Sequence, residues 1–148
     1  MRLGFTETLS AALVHADEQA RQLGQDFVST EHILLGILTG KTGDAFRALQ
    51  AETNIAQLVP SITDALPKPG DQPLVTGRLP LSPKAQRAVN TAVSKAQTAG
   101  QTAVSTRFML LALLEEPDSA ISELLSGGGA DLDELRGMLS RPNGNAEK

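Results

Sequence analysis

The chain has 148 residues, no cysteine, tryptophan or tyrosine, only four phenylalanines, and a net charge of −4. That length suits one ordinary domain burying about two-thirds of its unfolded surface, and the missing cysteines exclude disulfides, thiol nucleophiles and thiolate metal sites. Thirteen basic residues scattered along an acidic, aromatic-poor chain argue against a nucleic-acid partner, which needs a clustered basic surface or stacking platforms.

The opening, MRLGFTETLSAALVHADEQA, spaces its apolar residues helically and brings in acidic ones at once, which is not the pattern of a secretory signal. No run approaches the roughly 18 apolar residues of a membrane span, so a soluble cytoplasmic protein with no membrane partner is expected. The first helix sets Leu9, Leu13, Ala16, Ala20 and Leu23 on one face and stops at Gly24, a residue suited to a left-handed C-terminal position. A second follows a Ser29 or Thr30 cap and carries Ile33, Leu34, Ile37 and Leu38. A short third helix holds Ala45, Phe46 and Leu49 after Gly40 and Gly43, and a fourth holds Ile55, Leu58, Ile62 and Leu66 after an Asn54 cap. No period-two alternation is long enough for a strand.

The segment PKPGDQPLVTGRLP, residues 67–80, breaks any helix and reads as an extended linker. Beyond it Ser82 precedes Pro83, a cap with proline at the first helical position. Gly100 closes that helix, and Ser105 or Thr106 caps the next. Asp131 with Glu134 forms a capping-box pattern for a last helix bearing Leu132, Leu135 and Leu139. A polar tail occupies 140–148.

The two halves are copies. QARQLGQDFVSTEHILLGIL aligns with KAQTAGQTAVSTRFMLLALL at a constant offset of 76 residues, and Ala12/Ala88, Ala16/Ala92, Gly24/Gly100, Val28/Val104, Ser29/Ser105 and Leu49/Leu125 extend the match without a gap. Two copies are too few for a solenoid. The expectation is a single all-α domain over 1–148 with eight helices, built as two tandem four-helix repeats, 5–66 and 81–139, related by a pseudo-twofold.

Phe5-Thr6, Leu23-Gly24 and above all Thr30-Glu31-His32-Ile33-Leu34-Leu35-Gly36 resemble the Clp repeat, found in tandem at the amino terminus of ClpC-type and ClpA-type protein-unfolding ATPases. The resemblance implies a non-catalytic module that receives substrate proteins or adaptor proteins for Clp ATPase or protease components, and in ClpC-like members binds phosphoarginine-marked proteins and cyclic peptide antibiotics. It equally admits an accessory protein that braces a Clp ring without reading a modification. The chain has no G-x-x-x-x-G-K-[ST] run, so it is expected to be an excised domain or a stand-alone Clp-repeat protein, with no enzyme activity and no cofactor.

As a first-turn acid, Glu31 is favoured by the helix dipole alone, and Thr6 suits a cap whose neighbouring amides also attract an anion. The resemblance implies that Phe5, Thr6 and Glu31 form a first-repeat ligand site, with Glu31 accepting from the guanidinium of phosphoarginine. In the second repeat Ser82 keeps the hydroxyl, but Arg107 stands where the first has Glu31, which implies a degenerate site. A solvated arginine, or one that attracts an anion or acidic partner, is the alternative for Arg107. The histidines, His15 and His32, lack metal-ligand spacing. With Phe108 at its equivalent position, His32 reads as a packing or bonding residue.

Overall fold

The computed structural model describes residues 4–25, 27–66, 79–116 and 121–140. Among them are eight helices: α1 (Glu7–Gln22), α2 (Thr30–Gly40), α3 (Asp44–Glu52), α4 (Ile55–Ala65), α5 (Pro83–Thr98), α6 (Thr106–Glu115), α7 (Ile121–Gly127) and α8 (Leu132–Ser140). Most of the expected linker, 67–78, and the tail from 141 onward lie outside the described residues.

Most of the expected caps form, the exception being α6, where Ser105 stands at the cap position without a side-chain bond to the helix. Thr6 Oγ1 accepts from the Leu9 amide at 3.1 Å, and Ser82 Oγ accepts from Ala85 at 3.1 Å. At α4 Asn54 accepts from Ala56, and at α8 Asp131 accepts from Asp133 and Glu134. Gly24 and Gly100 take φ of 72° and 73° beyond the ends of α1 and α5, the left-handed conformation that a side chain disfavours. Of the two candidates at α2, Ser29 is the cap. Thr106 has a different task from capping α6: its Oγ1 accepts from the Ala45 amide at 3.1 Å. That bond serves the start of α3, where the N-cap is Gly43 and has no side chain to offer.

Two short strands, β1 (Gly4–Phe5) and β2 (Ala103–Val104), add to the helices. They pair in parallel, Gly4 with Ala103 and Phe5 with Val104, while Val28 bridges Leu81. A strand of two residues carries no alternation, which is why the sequence pattern did not show it. The 76-residue offset maps the Phe5–Val104 pair onto Leu81–Val28, so each copy lends its leading segment to the other. The hydrogen bonds repeat the exchange: Thr6 N–H donates to the Val104 carbonyl at 3.0 Å and Ser82 N–H to the Val28 carbonyl at 2.8 Å.

Helices α2 and α6 are buried nearly all round, from Ile33 to Leu38 and from Phe108 to Leu114 with only Leu111 half-exposed, the signature of central helices. Their main partners are α1 and α5. The copies are not two separate four-helix units, however. Helix α3 packs on α6 and α8, α4 packs on α7, and the buried apolar residues form one continuous core. A copy of some 60 residues buries only about 60 % of its surface alone, and interleaving supplies the rest.

The tightest approach is between α1 and α2. A methyl group added at Gly36 would lie 2.1 Å from the Ala12 carbonyl oxygen and 2.9 Å from the Ala16 nitrogen, both backbone atoms. Gly36→Ala is therefore expected to lower stability by on the order of 1–3 kcal/mol or more, the range of core overpacking. Gly127→Ala, where nothing lies within 4 Å of the added carbon, should leave the urea midpoint nearly unchanged, and denaturation of the two variants side by side checks the contrast.

Candidate functional site

The exchange of leading segments decides which candidate residues meet. Glu31, in the first turn of α2, lines a cleft of about 520 Å³ with Ser82, Pro83, Lys84 and Arg87 from the start of α5. Phe5 and Thr6 lie elsewhere, against Ala103–Val104 on the approach to α6. The grouping by repeat, Phe5-Thr6 with Glu31, is thus replaced by a grouping across repeats, Glu31 with Ser82. Lys84 and Arg87 are cleft residues that the sequence reading missed. Their three-residue spacing puts them on one side of α5, but nothing local says that this side faces α2.

The cleft carries both signs of charge. Glu31 is half-buried and accepts from the Thr30 hydroxyl at 3.2 Å. On the other wall Arg87 donates two N–H groups to Glu116 Oε1, at 2.6 and 3.2 Å, and Glu116 is itself buried, so the guanidinium is held in place. Phe27, 37 % exposed, gives the cleft an apolar edge.

His32 forms the floor behind Glu31. Its Nδ1 accepts from the Ser29 N–H at 2.9 Å and lies 2.8 Å from Ser29 Oγ, while Ser29 Oγ accepts from the His32 N–H at 3.4 Å, closing a reciprocal capping box. An Nδ1 that accepts leaves the proton of the neutral ring on Nε2, which is buried and has no partner among the described residues. Burial holds the imidazole below its ordinary pKa, partly offset by the Glu31 carboxylate.

Arg107 departs from the picture of a solvated side chain. One N–H donates to the Leu139 carbonyl at 3.0 Å, and the guanidinium carbon lies 4.2 Å from the centre of the Phe108 ring. It closes the end of α8 on one side of α6, and the α6 start has no carboxylate in the place of Glu31.

The sequence profile of the Clp repeat (R) N-terminal domain matches residues 4–128 and 80–145. The chain belongs to the Clp repeat N-terminal domain family. An ATP-dependent Clp protease ATP-binding subunit ClpA homolog of Cyanidium caldarium is 31 % identical over 144 residues, 97 % of this chain and 17 % of the relative. The chain spans about 15–17 % of the length of such curated relatives. Among solved structures, the Hsp104 N-terminal domain of Candida albicans shares the fold with a TM-score of 0.80 at 18 % identity, covering 97 % of this chain and 94 % of that one. A ClpV N-domain in complex with a VipB peptide has a TM-score of 0.70 at 18 % identity, covering 95 % and 94 %. In this Clp repeat domain, no helix among the described residues is long and apolar enough to cross a membrane.

The lowered pKa of His32 gives the Clp repeat domain a pH signature. Between the folded pKa and the ordinary value of about 6.5, the unfolded chain binds more protons than the folded one, so stability rises with pH through that window. The urea midpoint is expected to fall as pH drops below about 6.5, and His32→Phe, which copies the second repeat, should flatten this part of the profile. An equal slope in the variant would assign the acid sensitivity to other groups.

Proposed function

We propose that this Clp repeat domain is the recognition module of a Clp-type ATP-dependent protease system, and that it reads phosphoarginine-marked proteins through the α2/α5 cleft. The observation that carries the reading is the charge arrangement: one carboxylate, Glu31, and two cationic residues, Lys84 and Arg87, line a single cleft, with Arg87 oriented by its pair with the buried Glu116. Phosphoarginine joins a guanidinium, which donates, to a phosphoryl group, which accepts, and so needs both walls. Glu31 takes the guanidinium in a charge-assisted pair. Lys84 and Arg87 face the phosphoryl oxygens, aided by the positive end of α5. Pro83 has no N–H and Ser82 already occupies the Ala85 amide, so the side-chain cations carry more of this contact than the helix terminus does.

Docking of a peptide or adaptor is the broader form of the same reading. It is supported by the ClpV N-domain of like fold that holds a VipB peptide. An accessory role, bracing a Clp ring without reading a modification, remains the alternative and predicts no phosphoarginine affinity at all.

Calorimetric titration with free phosphoarginine is expected to give one site per chain, because Arg107 replaces the carboxylate in the second repeat. Glu31→Ala should lower affinity about tenfold or more, the loss expected for one charge-assisted bond, while thermal unfolding stays within about 0.5 kcal/mol of the parent. No binding by the parent chain, or an affinity untouched by Glu31→Ala, overturns the reading.

A further inference from the structure

A second cleft, of about 420 Å³, lies between α5 and α6 beside the end of α8. Arg107 and Lys95 line it, and Phe108 and Leu111 give it an apolar floor. Thr91, Ser94 and Thr98 set hydroxyls at helical spacing along the α5 wall. Arg107 is held in orientation by the Leu139 carbonyl and the Phe108 ring, so its remaining N–H donors are presented with little loss of side-chain freedom. Lys95 pairs with Glu115, whose side chain is half exposed, and an exposed pair of this kind is worth little and exchanges partners readily.

The first repeat shows that this basic character is specific to the second. At the 76-residue offset, Arg107, Lys95, Ser94 and Ser140 correspond to Glu31, Gln19, Glu18 and Asp64. Three carboxylates in one copy answer to one arginine and two serines in the other, with a lysine in place of a glutamine. Sequence drift on a solvated surface changes single charges; here the sign of the whole face has changed, around a formed cleft.

We propose that the α5/α6 cleft is a second docking site, which takes a glutamate or aspartate side chain of a partner protein segment, with a neighbouring apolar side chain against Phe108 and Leu111. The carboxylate meets Arg107 and Lys95 and accepts from the α5 hydroxyls. Two cations on a chain of net charge −4 do not make a track for a nucleic-acid backbone, which needs an extended basic stripe. A compact carboxylate is the anion that this cleft fits.

The test is fluorescence anisotropy on the full 148-residue chain, with a labelled peptide bearing two glutamates beside a leucine and a control in which glutamine replaces both. The glutamate peptide is expected to bind, and the control to bind at least about tenfold more weakly. Arg107→Glu should reduce binding about tenfold or more. Because that variant also loses the Leu139 contact, Ser94→Glu supplies an independent arm: it sits at an exposed position, copies the first repeat, and should weaken the peptide while leaving phosphoarginine titration unchanged. Glu31→Ala should leave the peptide affinity as it is. No binding of the glutamate peptide, equal binding of the control, or an affinity that responds to Glu31→Ala and not to Ser94→Glu overturns the proposal.

Discussion

The reciprocal hydrogen bonds between the leading segment of each copy and the loop of the other are the constraint on which the rest of the molecule depends. Thr6 to Val104 and Ser82 to Val28 satisfy backbone groups that would otherwise be buried without partners. In doing so they fix where α1 and α5 begin. Once Ser82 is tied beside Val28, the start of α5 must stand against the start of α2, one residue beyond Ser29, and the α2/α5 cleft follows. The bond from the Ala45 N–H to the Thr106 hydroxyl adds a third tie between the copies, this one to a side chain, seating α3 on the opposite copy. The α2/α5 cleft is therefore a property of the interleaved pair, with a wall from each copy.

Within that shared frame the copies have diverged in ways that can be followed atom by atom. Gly36 lets α2 press against the α1 backbone, whereas its counterpart Ala112 brings a side-chain carbon into the same place, and α5 and α6 pack less extensively. Ser29 and His32 close a capping box, whereas Ser105 Oγ is buried without a partner among the described residues and Phe108 replaces the imidazole. The first copy keeps the tighter helix pair and the better cap. Its α2 start, which presents Glu31, is thereby the better capped of the two.

Several helices were legible in the sequence because they carry local signals: apolar spacing, a side-chain cap as at α1, α4 and α5, and a glycine beyond the end as at α1 and α5. Ser82-Pro83 and Asp131 announce helix starts without help from the rest of the chain, and the structure places starts there. The duplication made the pseudo-twofold legible as well. What it could not convey was adjacency. An offset of 76 states that Thr6 is equivalent to Ser82 and Glu31 to Arg107, yet it is silent on whether Glu31 sits beside Thr6 or beside Ser82, and the exchange puts it beside Ser82. The same gap hid Lys84 and Arg87. It also hid the Leu139 carbonyl that engages Arg107, a partner 32 residues away whose acceptor is main chain and leaves no trace in residue identity.

Placing Glu31 and Arg107 at equivalent points of a duplicated fold has a consequence for selectivity. Both residues lie half-buried near the start of a central helix, so each speaks to a ligand through a positive helix end that favours anions. At α2 that preference is countered by the Glu31 carboxylate and supplemented from α5 by cations, which suits a ligand bearing both charges. At α6 Arg107 adds a cation to the positive helix start, while α5 and α8 bring their C-terminal ends to the same cleft, so the attraction for a ligand bearing only negative charge rests on the Arg107 and Lys95 side chains. A zwitterion has little net attraction to an acidic protein and little repulsion from it, so its capture depends on short-range geometry and is only mildly sensitive to salt. An acidic segment must approach against a net charge of −4 and gains affinity only inside the cleft, so added salt acts on it through two opposing terms, relieving the long-range repulsion and screening the local attraction. On the two proposals, one duplicated scaffold serves two ligand classes through two clefts that differ in charge at several positions, Glu31 and Arg107 among them.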